Sequence, residues 1–250
     1  MSRFGAWLLA VCFFASGASY AGTACPNFFI AGKEPVLDAS LTSRTTEVCH
    51  TEYVLFASGV TKGPLYSAEH LTAAQVAGAD SISRSGSWHQ ETGIPVADRS
   101  QSSDYTNSGY DRGHMTPAGD ASTLTSEGET FSMANVVPQL HKLNAGEWEK
   151  IESYVRGLAT QLGDVYVVTG PAFAADSVPT IGKDGVAVPA YTWKAVYEPG
   201  VGAAAFLCTN EEDYTCTVIS MVDVKTMSGV DPFPSLSSSM KSNPIDLTLP

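Results

Sequence analysis

One long amphipathic helix followed directly by a buried strand is the feature that most restricts the fold of this chain. From Leu143 onward, apolar residues recur at three- and four-residue steps, which predicts a helix of about five turns with one buried face. The apolar stripe consists of Trp148, Ile151, Val155, Leu158 and Leu162. Gly163 predicts the end of this helix, and residues 165–170 predict a buried strand after it. Such a helix needs a sheet on which to pack.

Other runs of β-branched and aromatic residues predict a sheet-rich body. We expect strands at residues 53–56, 191–197, 203–207 and 217–222, and a short helical piece at residues 67–72. The polar segment 80–110 is rich in Ser, Asp and Gly, which predicts a long loop of the functional kind. The tail from Asp231 onward is rich in Pro and Ser, so we expect it to be poorly ordered. Together these patterns predict an α+β fold.

The first residues have the three-part layout of a secretory signal peptide. Arg3 supplies a positive charge, residues 6–16 are almost entirely apolar, and the segment Ser19–Ala21 carries the small residues that a signal peptidase reads. The apolar run is too short to span a bilayer. We therefore expect cleavage near Ala21 and export of a single domain, residues 22–250, that is not membrane-bound in its mature form. A retained membrane anchor is the alternative.

Removal of the signal peptide leaves four cysteines in an oxidising compartment, which favours two disulfide bonds. Four cysteines allow three connectivities. We expect Cys25–Cys49 and Cys208–Cys216, because the two members of each pair lie close in sequence. A zinc site built from the same four cysteines is the alternative, and the lack of any C-x-x-C spacing disfavours it.

The charge balance argues against a simple nucleic-acid-binding protein. Once Arg3 is removed with the signal peptide, 13 basic residues face 26 acidic ones, so the net charge is −13. A protein that binds nucleic acid without regard to sequence is usually basic, because phosphate neutralisation supplies its affinity. Such a function therefore needs a local basic surface on an acidic body. The candidates for that surface are Lys142, Lys150, Arg156, Arg112, Arg84 and Arg99.

The segment 111–115, with the sequence DRGHM, combines residue types that suit phosphate chemistry. A histidine accepts a proton near neutral pH without a large pKa shift. An arginine presents a fixed and permanently charged fork to phosphate oxygens. The glycine between them lets a ligand approach the backbone closely. Taken alone, this segment also fits a solvated surface loop.

A second group of motifs follows, N-x-x-P-Q over residues 135–139 and L-N-x-x-x-W-x-x-x-E over residues 143–152. With DRGHM before them, these motifs resemble those of the DNA/RNA non-specific endonuclease family. That ββα-metal group contains secreted bacterial nucleases and mitochondrial endonuclease G. Segments 166–171 and 189–194 are also similar, so the resemblance runs over roughly residues 53–225. It implies a ββα-metal nuclease fold, a central antiparallel sheet with the long helix packed beside the catalytic loop.

The resemblance implies a metal centre beside a histidine. His114 matches the family's general base, which removes a proton from the attacking water. Asn144 matches the single protein ligand of the metal, and Glu152 matches a residue that holds a metal-bound water. Water and phosphate oxygens would complete the coordination, which suits Mg²⁺ because it gives up water reluctantly; Mn²⁺ is the expected substitute. An ideal helix would rotate Asn144 and Glu152 about 80° apart, and Asn144 alone also fits a helix N-cap.

Three further residues complete the implied site. Arg112 and, on a looser match, Arg84 correspond to arginines that steady the phosphate. Asn135 corresponds to a polar residue that supports the metal and its water, although it also fits a hydrogen-bonded core residue. His141 matches no family role, but it lies close enough to the metal ligand in sequence for a supporting contact. Asp111 is expected to be structural rather than catalytic.

The implied activity is hydrolysis of phosphodiester bonds in DNA and RNA by a secreted, Mg²⁺-dependent endonuclease that leaves 5′-phosphate ends. Little sequence preference is expected, because contacts to phosphate carry no base information. Two alternatives stay open, a metal-dependent phosphodiesterase for a small substrate and a non-catalytic nucleic-acid-binding member of the fold. Activity is expected to rise with pH as His114 loses its proton. The sequence leaves a homodimer open and identifies no inhibitor protein.

Overall fold

The structure is a computed structural model that describes residues 22–174 and 177–250, so the expected signal peptide lies outside the described residues. Its strands are β1 (Val36–Leu37), β2 (Thr45–Cys49), β3 (Val54–Ser58), β4 (Gly63–Thr72), β5 (Asp111–His114), β6 (Val136–Gln139), β7 (Asp164–Ala172), β8 (Thr180–Ile181), β9 (Val186–Ala187), β10 (Tyr191–Glu198), β11 (Gly202–Thr209), β12 (Cys216–Ile219) and β13 (Val230–Asp231). Seven of them form one antiparallel sheet in the order β12-β11-β10-β7-β4-β3-β2. Three two-stranded sheets, β1-β13, β5-β6 and β8-β9, surround it.

The α-helices are α1 (Ala73–Ala79), α2 (Leu124–Thr130), α3 (His141–Leu143), α4 (Glu149–Leu162), α5 (Met221–Ser228) and α6 (Ser238–Ser242). A π-helical turn, Asn144–Trp148, joins α3 to α4. Short 3₁₀ turns lie at Pro26–Phe28, Ile30–Gly32, Ala39–Leu41, Val96–Asp98, Ser102–Tyr105, Ala118–Asp120 and Met133–Asn135. None of these helices is long and apolar enough to cross a membrane. The large antiparallel sheet with flanking helices confirms the predicted α+β class.

The large sheet is buried on both faces. One face packs against the N-terminal segment and α5, with Tyr66 and Trp193 in that core. The other face packs against α4, with Leu71 and Phe206 opposite the helix. The predicted apolar stripe is confirmed over its first three members, which are fully buried, namely Trp148, Ile151 and Val155. Gly163 ends α4 with φ of 99°, a conformation that favours glycine.

Two strands and one helix form a ββα unit at the edge of this body. β5 pairs antiparallel with β6, and His114 lies opposite Val136 in the register. The chain leaves β6 at Gln139 and enters α3 at His141, so the helix follows β6 almost directly. The DRGH segment, which we expected in a loop, is therefore a short strand. Pairing with β6 holds its backbone in place.

Two sequence-based predictions of secondary structure are wrong. The expected helical piece at residues 67–72 is the end of β4, a central strand that is hydrogen-bonded to β3 and β7 and buried on both faces. Strand pairing on both sides overrides local helix propensity there. The helix begins only at Ala73, where the Thr72 side chain accepts a hydrogen bond from the Gln75 backbone. The strand expected over residues 217–222 ends at Ile219, because Ser220 and Asp223 form a capping box that starts α5.

Both expected disulfide bonds are present, Cys25–Cys49 and Cys208–Cys216, and they exclude a zinc site built from the same cysteines. The tail from Asp231 onward packs better than its composition suggested. Phe233 is buried in the core beside α5, and Leu247 is buried in the core beside α4. These apolar anchors explain why a Pro- and Ser-rich segment follows the body closely.

Candidate active site

An open cleft of about 520 Å³ lies between β5, the polar segment 80–110 and the start of the long helix. It brings together five of the six predicted site residues, namely His114, Arg112, Arg84, Asn144 and Glu152. Asn135 does not line it. The cleft wall also contains Trp88, Tyr110 and Phe131, so charged groups and aromatic rings alternate around the opening.

The helix that carries Asn144 and Glu152 is not a regular α-helix. Asn144–Trp148 form a π-helical turn, and Gly146 within it has φ of −115° and ψ of −110°. A π-helical turn adds one residue to a helix. The eight steps from Asn144 to Glu152 therefore rotate the chain about the helix axis as far as about seven steps of an α-helix do. That rotation is about 700°, or nearly two complete turns. Because of this irregularity, Asn144 and Glu152 share one face of the helix and both line the cleft.

Asn144 is held by Asp111 from the opposite side of the cleft. Its backbone is helical, so it is not the N-cap that its residue type also suggested. Its Nδ2 donates to Asp111 Oδ2 at 3.0 Å, and His141 Nδ1 lies 2.8 Å from the same oxygen. Since Nδ2 is engaged, Oδ1 is the atom that remains for a ligand. Asp111 is thus a positioning residue, which fits its expected structural role, and the supporting contact considered for His141 reaches Asn144 through Asp111.

His114 lies in an aromatic enclosure. Its ring centroid is 5.1 Å from that of Trp88 and 5.3 Å from that of Phe131. Nε2 is buried and has no hydrogen-bond partner among the described residues. Burial and, second, the positive charge of Arg84 lower the pKa of His114 to about 3. With no ligand bound, this favours a neutral ring over the pH range in which we expected His114 to titrate.

Arg112 and Arg84 supply the positive charge of the cleft. Arg112 Nη2 donates to the backbone oxygen and the hydroxyl of Ser102, at 2.8 and 2.9 Å. Its guanidinium lies over the rings of Trp88 and Tyr105, 5.4 Å from each centroid. Arg84 is exposed and lies 6.0 Å from the Phe131 ring. Segment 80–110 thus contains Arg84 and also Ser102, which holds Arg112 in place, as expected for a functional loop.

The expected basic surface does not form as a continuous patch, because four of its six members do not line the cleft and are engaged elsewhere in the protein. Lys142 lies 3.5 Å from Asp213, Lys150 lies 3.2 Å from Glu147, and Arg156 lies 2.9 Å from Asp120. Arg99 donates to the backbone oxygens of Ile94 and Thr92. Carboxylates near the three paired cations cancel much of their attraction for phosphate. The positive charge that faces the cleft is that of two arginines.

Asn135 is a buried hydrogen-bonded core residue, the alternative to the site role that the resemblance implied. Its Oδ1 accepts from the Thr116 backbone at 3.0 Å, and its Nδ2 donates to the oxygens of Thr116 and Thr130 at 2.9 Å. The side chain is fully buried, Nδ2 donates twice and Oδ1 already accepts one hydrogen bond, so the amide is committed to the core and does not face the cleft. Its backbone oxygen accepts from Met115, which fixes the chain just after His114.

Buried charges adjoin Glu152 inside the protein. Burial raises the pKa of Glu152 to about 7, against the lowering effect of the positive charge of Lys194. Lys194 is 1% exposed, and its Nζ donates to Thr169 Oγ1 at 2.7 Å and to the Met115 backbone oxygen at 3.3 Å. Glu69 and Asp120 are also buried, and burial raises the pKa of each. A lysine on an otherwise apolar inner strand face was the sequence signal for this cluster.

The cleft offers the donor set that a hard divalent cation prefers. Asn144 Oδ1 and the carboxylate of Glu152 are oxygen donors on one helix face, and Mg²⁺ binds oxygen ligands while retaining water. Within residues 22–174 and 177–250, the one group of three potential His, Cys, Asp or Glu ligands is Cys25, Glu47 and Cys49, and its cysteines form a disulfide. A centre with few protein ligands and several waters therefore fits the cleft.

Comparison with known proteins agrees with this geometry. The family model described as DNA/RNA non-specific endonuclease matches residues 37–239. The mitochondrial nuclease EXOG of Danio rerio is 30% identical over 215 residues, which cover 78% of this chain and 62% of that protein. Nuclease C1 of Cunninghamella echinulata var. echinulata is 34% identical over 198 residues, or 70% of this chain and 77% of that protein. A chain in the crystal structure of the EndoG/EndoGI complex is similar with a TM-score of 0.71 and 29% identity, covering 78% of this chain and 88% of that one.

Proposed function

Because this chain belongs to the DNA/RNA non-specific endonuclease family, we propose that it hydrolyses phosphodiester bonds of DNA and RNA with Mg²⁺ and with His114 as the general base. The observation that carries the proposal is the cleft itself. It places a neutral imidazole with an unpartnered Nε2 beside an oxygen-donor face, Asn144 and Glu152, and two arginines. These are the groups that in-line attack on a phosphodiester requires.

In this proposal His114 Nε2 accepts the proton of the attacking water. A neutral ring is the competent form of a base, and the low pKa of His114 keeps it neutral. A phosphate bound beside Arg84 offsets the charge of that arginine, which raises the pKa of His114 toward the working pH. Arg112 holds its guanidinium through Ser102 and two aromatic rings, so it meets the phosphate in a fixed orientation.

Asn144 Oδ1 would hold Mg²⁺, and Glu152 would accept a hydrogen bond from one of its waters. When bound, the ion supplies a Lewis acid that neutralises charge on the leaving 3′ oxygen, so the phosphate stays on the 5′ end. Asp111 keeps the Asn144 amide in the orientation that leaves Oδ1 available. Mn²⁺, which also takes oxygen ligands, is expected to substitute.

A small phosphodiester is the second candidate substrate, and the pairing of Lys142, Lys150 and Arg156 with carboxylates favours it. A long nucleic acid gains affinity from many phosphate contacts, whereas a small ester needs few. The two arginines of the cleft are sufficient for the small ester. A comparison of kcat/KM for a dinucleotide and for a long single strand separates the two substrate classes.

We also propose that the chain is exported after cleavage near Ala21. The layout of the first 21 residues supports export, as do two disulfide bonds, which persist in oxidising compartments. N-terminal sequencing of protein recovered outside the cell is expected to begin at Gly22. An intact N-terminus on cell-retained protein would overturn the proposal.

The activity is tested with purified residues 22–250 on supercoiled plasmid and on a folded RNA, each with Mg²⁺ and with EDTA. His114→Ala is run beside His70→Ala, a matched control on the opposite face of the large sheet, where His70 stacks on Tyr166. Wild type and His70→Ala should cut both substrates with Mg²⁺ and neither substrate with EDTA. If folded wild type cuts neither, the family resemblance extends only to the fold.

A further inference from the structure

The hairpin loop between β11 and β12 lies against the turn that carries Asn144. The Cys208–Cys216 disulfide closes this loop, residues 209–215, at its base. Thr209 and Thr215 pair across it, with the Thr209 backbone N–H donating to Thr215 at 3.0 Å. The loop is therefore a compact unit at the edge of the large sheet, and it contributes nothing to the lining of the cleft.

Asn210 connects this loop to the corner between β6 and α3. It is 8% exposed, and its Oδ1 accepts from the Leu140 backbone at 2.9 Å. Its Nδ2 donates to the backbone oxygens of Pro138 and Pro189, each at 3.0 Å. Buried backbone groups at such a corner need partners, and this one side chain satisfies two of them, together with a third on the segment before β10.

Three more residues of the loop contact the same helix start. Lys142 Nζ donates to the backbone oxygen of Glu212 at 2.9 Å and lies 3.5 Å from Asp213. A Cβ at Gly146 would lie 3.3 Å from the Tyr214 hydroxyl, so Tyr214 lies directly against the π-helical turn. The loop thus contacts the chain before Asn144 and after it.

We propose that Asn210 is a positioning residue for Asn144, and that the disulfide-closed loop 209–215 thereby sets the affinity of the cleft for its divalent cation. The inference rests on the proposed function for the use of that cation. A regular α-helix through residues 141–152 would place Asn144 about 80° away from the face of Glu152. The loop holds both sides of the π-helical turn, so it stabilises the irregular form in which the two side chains converge.

The first test compares Asn210→Ala with Asn243→Ala, an asparagine of the exposed C-terminal end of α6 whose amide bonds only to Ser239. Mn²⁺ alone is titrated into each protein and free Mn²⁺ is measured by electron paramagnetic resonance. Loss of a direct outer-shell partner of a metal ligand lowers metal affinity about 10- to 100-fold. Asn210 acts one bond further away, on Leu140, whose backbone oxygen accepts from the Asn144 N–H, so we expect a loss near the lower end of that range in Asn210→Ala. We also expect faster amide exchange confined to residues 140–148 and normal cleavage at saturating Mg²⁺. Asn243→Ala should match wild type.

A second pair of variants tests the loop without changing Asn210. Cys208→Ala/Cys216→Ala opens the loop, whereas Cys25→Ala/Cys49→Ala removes the disulfide between the N-terminal segment and β2. Thermal unfolding measures the stability of both. We expect weaker Mn²⁺ binding in Cys208→Ala/Cys216→Ala but not in Cys25→Ala/Cys49→Ala. If Asn210→Ala does not fold, the comparison of these two disulfide variants tests the proposed role of the loop.

Three outcomes would overturn the inference. They are wild-type Mn²⁺ affinity in folded Asn210→Ala, equal loss in both disulfide variants, and a loss of kcat that saturating Mg²⁺ does not restore. A wild-type protein that binds Mn²⁺ and cuts neither DNA nor RNA would contradict the proposed function instead, and the Mn²⁺ titrations of the variants would still decide the role of Asn210.

Discussion

The cleft and the buried support cluster beside it, which consists of Asn135, Asp120, Arg156 and Lys194, use similar side chains in opposite ways. In the support cluster the amide of Asn135 has three partners, and Lys194 Nζ has two. In the cleft, His114 Nε2 and Arg112 Nε are buried and have no hydrogen-bond partner in the described part of the chain.

The difference separates residues that hold the site from residues that act in it. A buried polar atom without a partner costs about 1–3 kcal/mol, and in an open cleft a bound ligand can supply the missing contact. A saturated side chain stabilises the protein and has nothing left to offer. We therefore expect substitutions in the support cluster to lower stability, and substitutions in the cleft to lower activity.

The largest effect on stability is expected for Lys194→Met. Removal of one partner of a buried charge network costs about 3–5 kcal/mol, because the remaining buried carboxylates lose the counter-charge that Lys194 supplies. Urea unfolding measures the loss. Lys183→Met, at an exposed lysine beside Asp184, is the control and should change stability by less than about 0.5 kcal/mol. Unchanged stability in Lys194→Met would show that the cluster does not support the fold.

Asn135→Ala should cost about 2 kcal/mol, because it leaves buried backbone groups of Thr116 and Thr130 without partners. Cleavage per folded molecule should be largely retained. Asn27→Ala, at an exposed residue, is the control for the urea unfolding curves. If stability is normal and activity is lost, Asn135 belongs to the cleft after all, as the resemblance implied.

The pH dependence should follow Glu152 rather than His114. The pKa of Glu152 is raised to about 7, so the carboxylate that accepts a hydrogen bond from water is lost as pH falls below that value. At low Mg²⁺, kcat/KM should drop about tenfold per pH unit there. The pKa of His114, about 3, leaves its ring neutral throughout.

Raising Mg²⁺ should move this acid limb to lower pH, because a nearby cation favours the charged carboxylate. A profile of kcat/KM from pH 5 to 8 at two Mg²⁺ concentrations gives the answer. An acid limb that stays in place at both concentrations would assign the titration to a group away from the metal.

The smallest effect is expected for salt. If Arg84 and Arg112 neutralise about two phosphates, affinity for DNA should fall about tenfold between 50 and 200 mM salt, compared with about 10³- to 10⁵-fold for a protein with six to ten contacts. Arg84→Met should reduce the log–log slope by about one. A much steeper slope would mean that the paired cations Lys142, Lys150 and Arg156 also reach the substrate.

Local patterns were sufficient to predict the helix, its glycine stop and both disulfides, and the family resemblance pointed to six site residues, of which five line the cleft. They failed where distant parts of the chain decide the outcome. Residues 67–72 are a strand because they pair with β7 and, at residues 67–68, also with β3. The 3.6-residue apolar period does not show the π-helical turn, because the contacts of Asp111 and Asn210 near it come from distant parts of the chain. Likewise, no count of basic residues shows that Lys142 and Lys150 face carboxylates.

The most direct test of the account is chemical rescue of His114→Ala by imidazole, measured as the single-turnover rate of plasmid cleavage at saturating Mg²⁺. Without imidazole, we expect a folded and stable variant that is about 10²- to 10⁴-fold slower than wild type. Added imidazole should restore part of the rate in proportion to its neutral form, and it should not rescue Asn144→Ala. Wild-type cleavage by folded His114→Ala, or equal rescue of both variants, would contradict the role of His114 as the base.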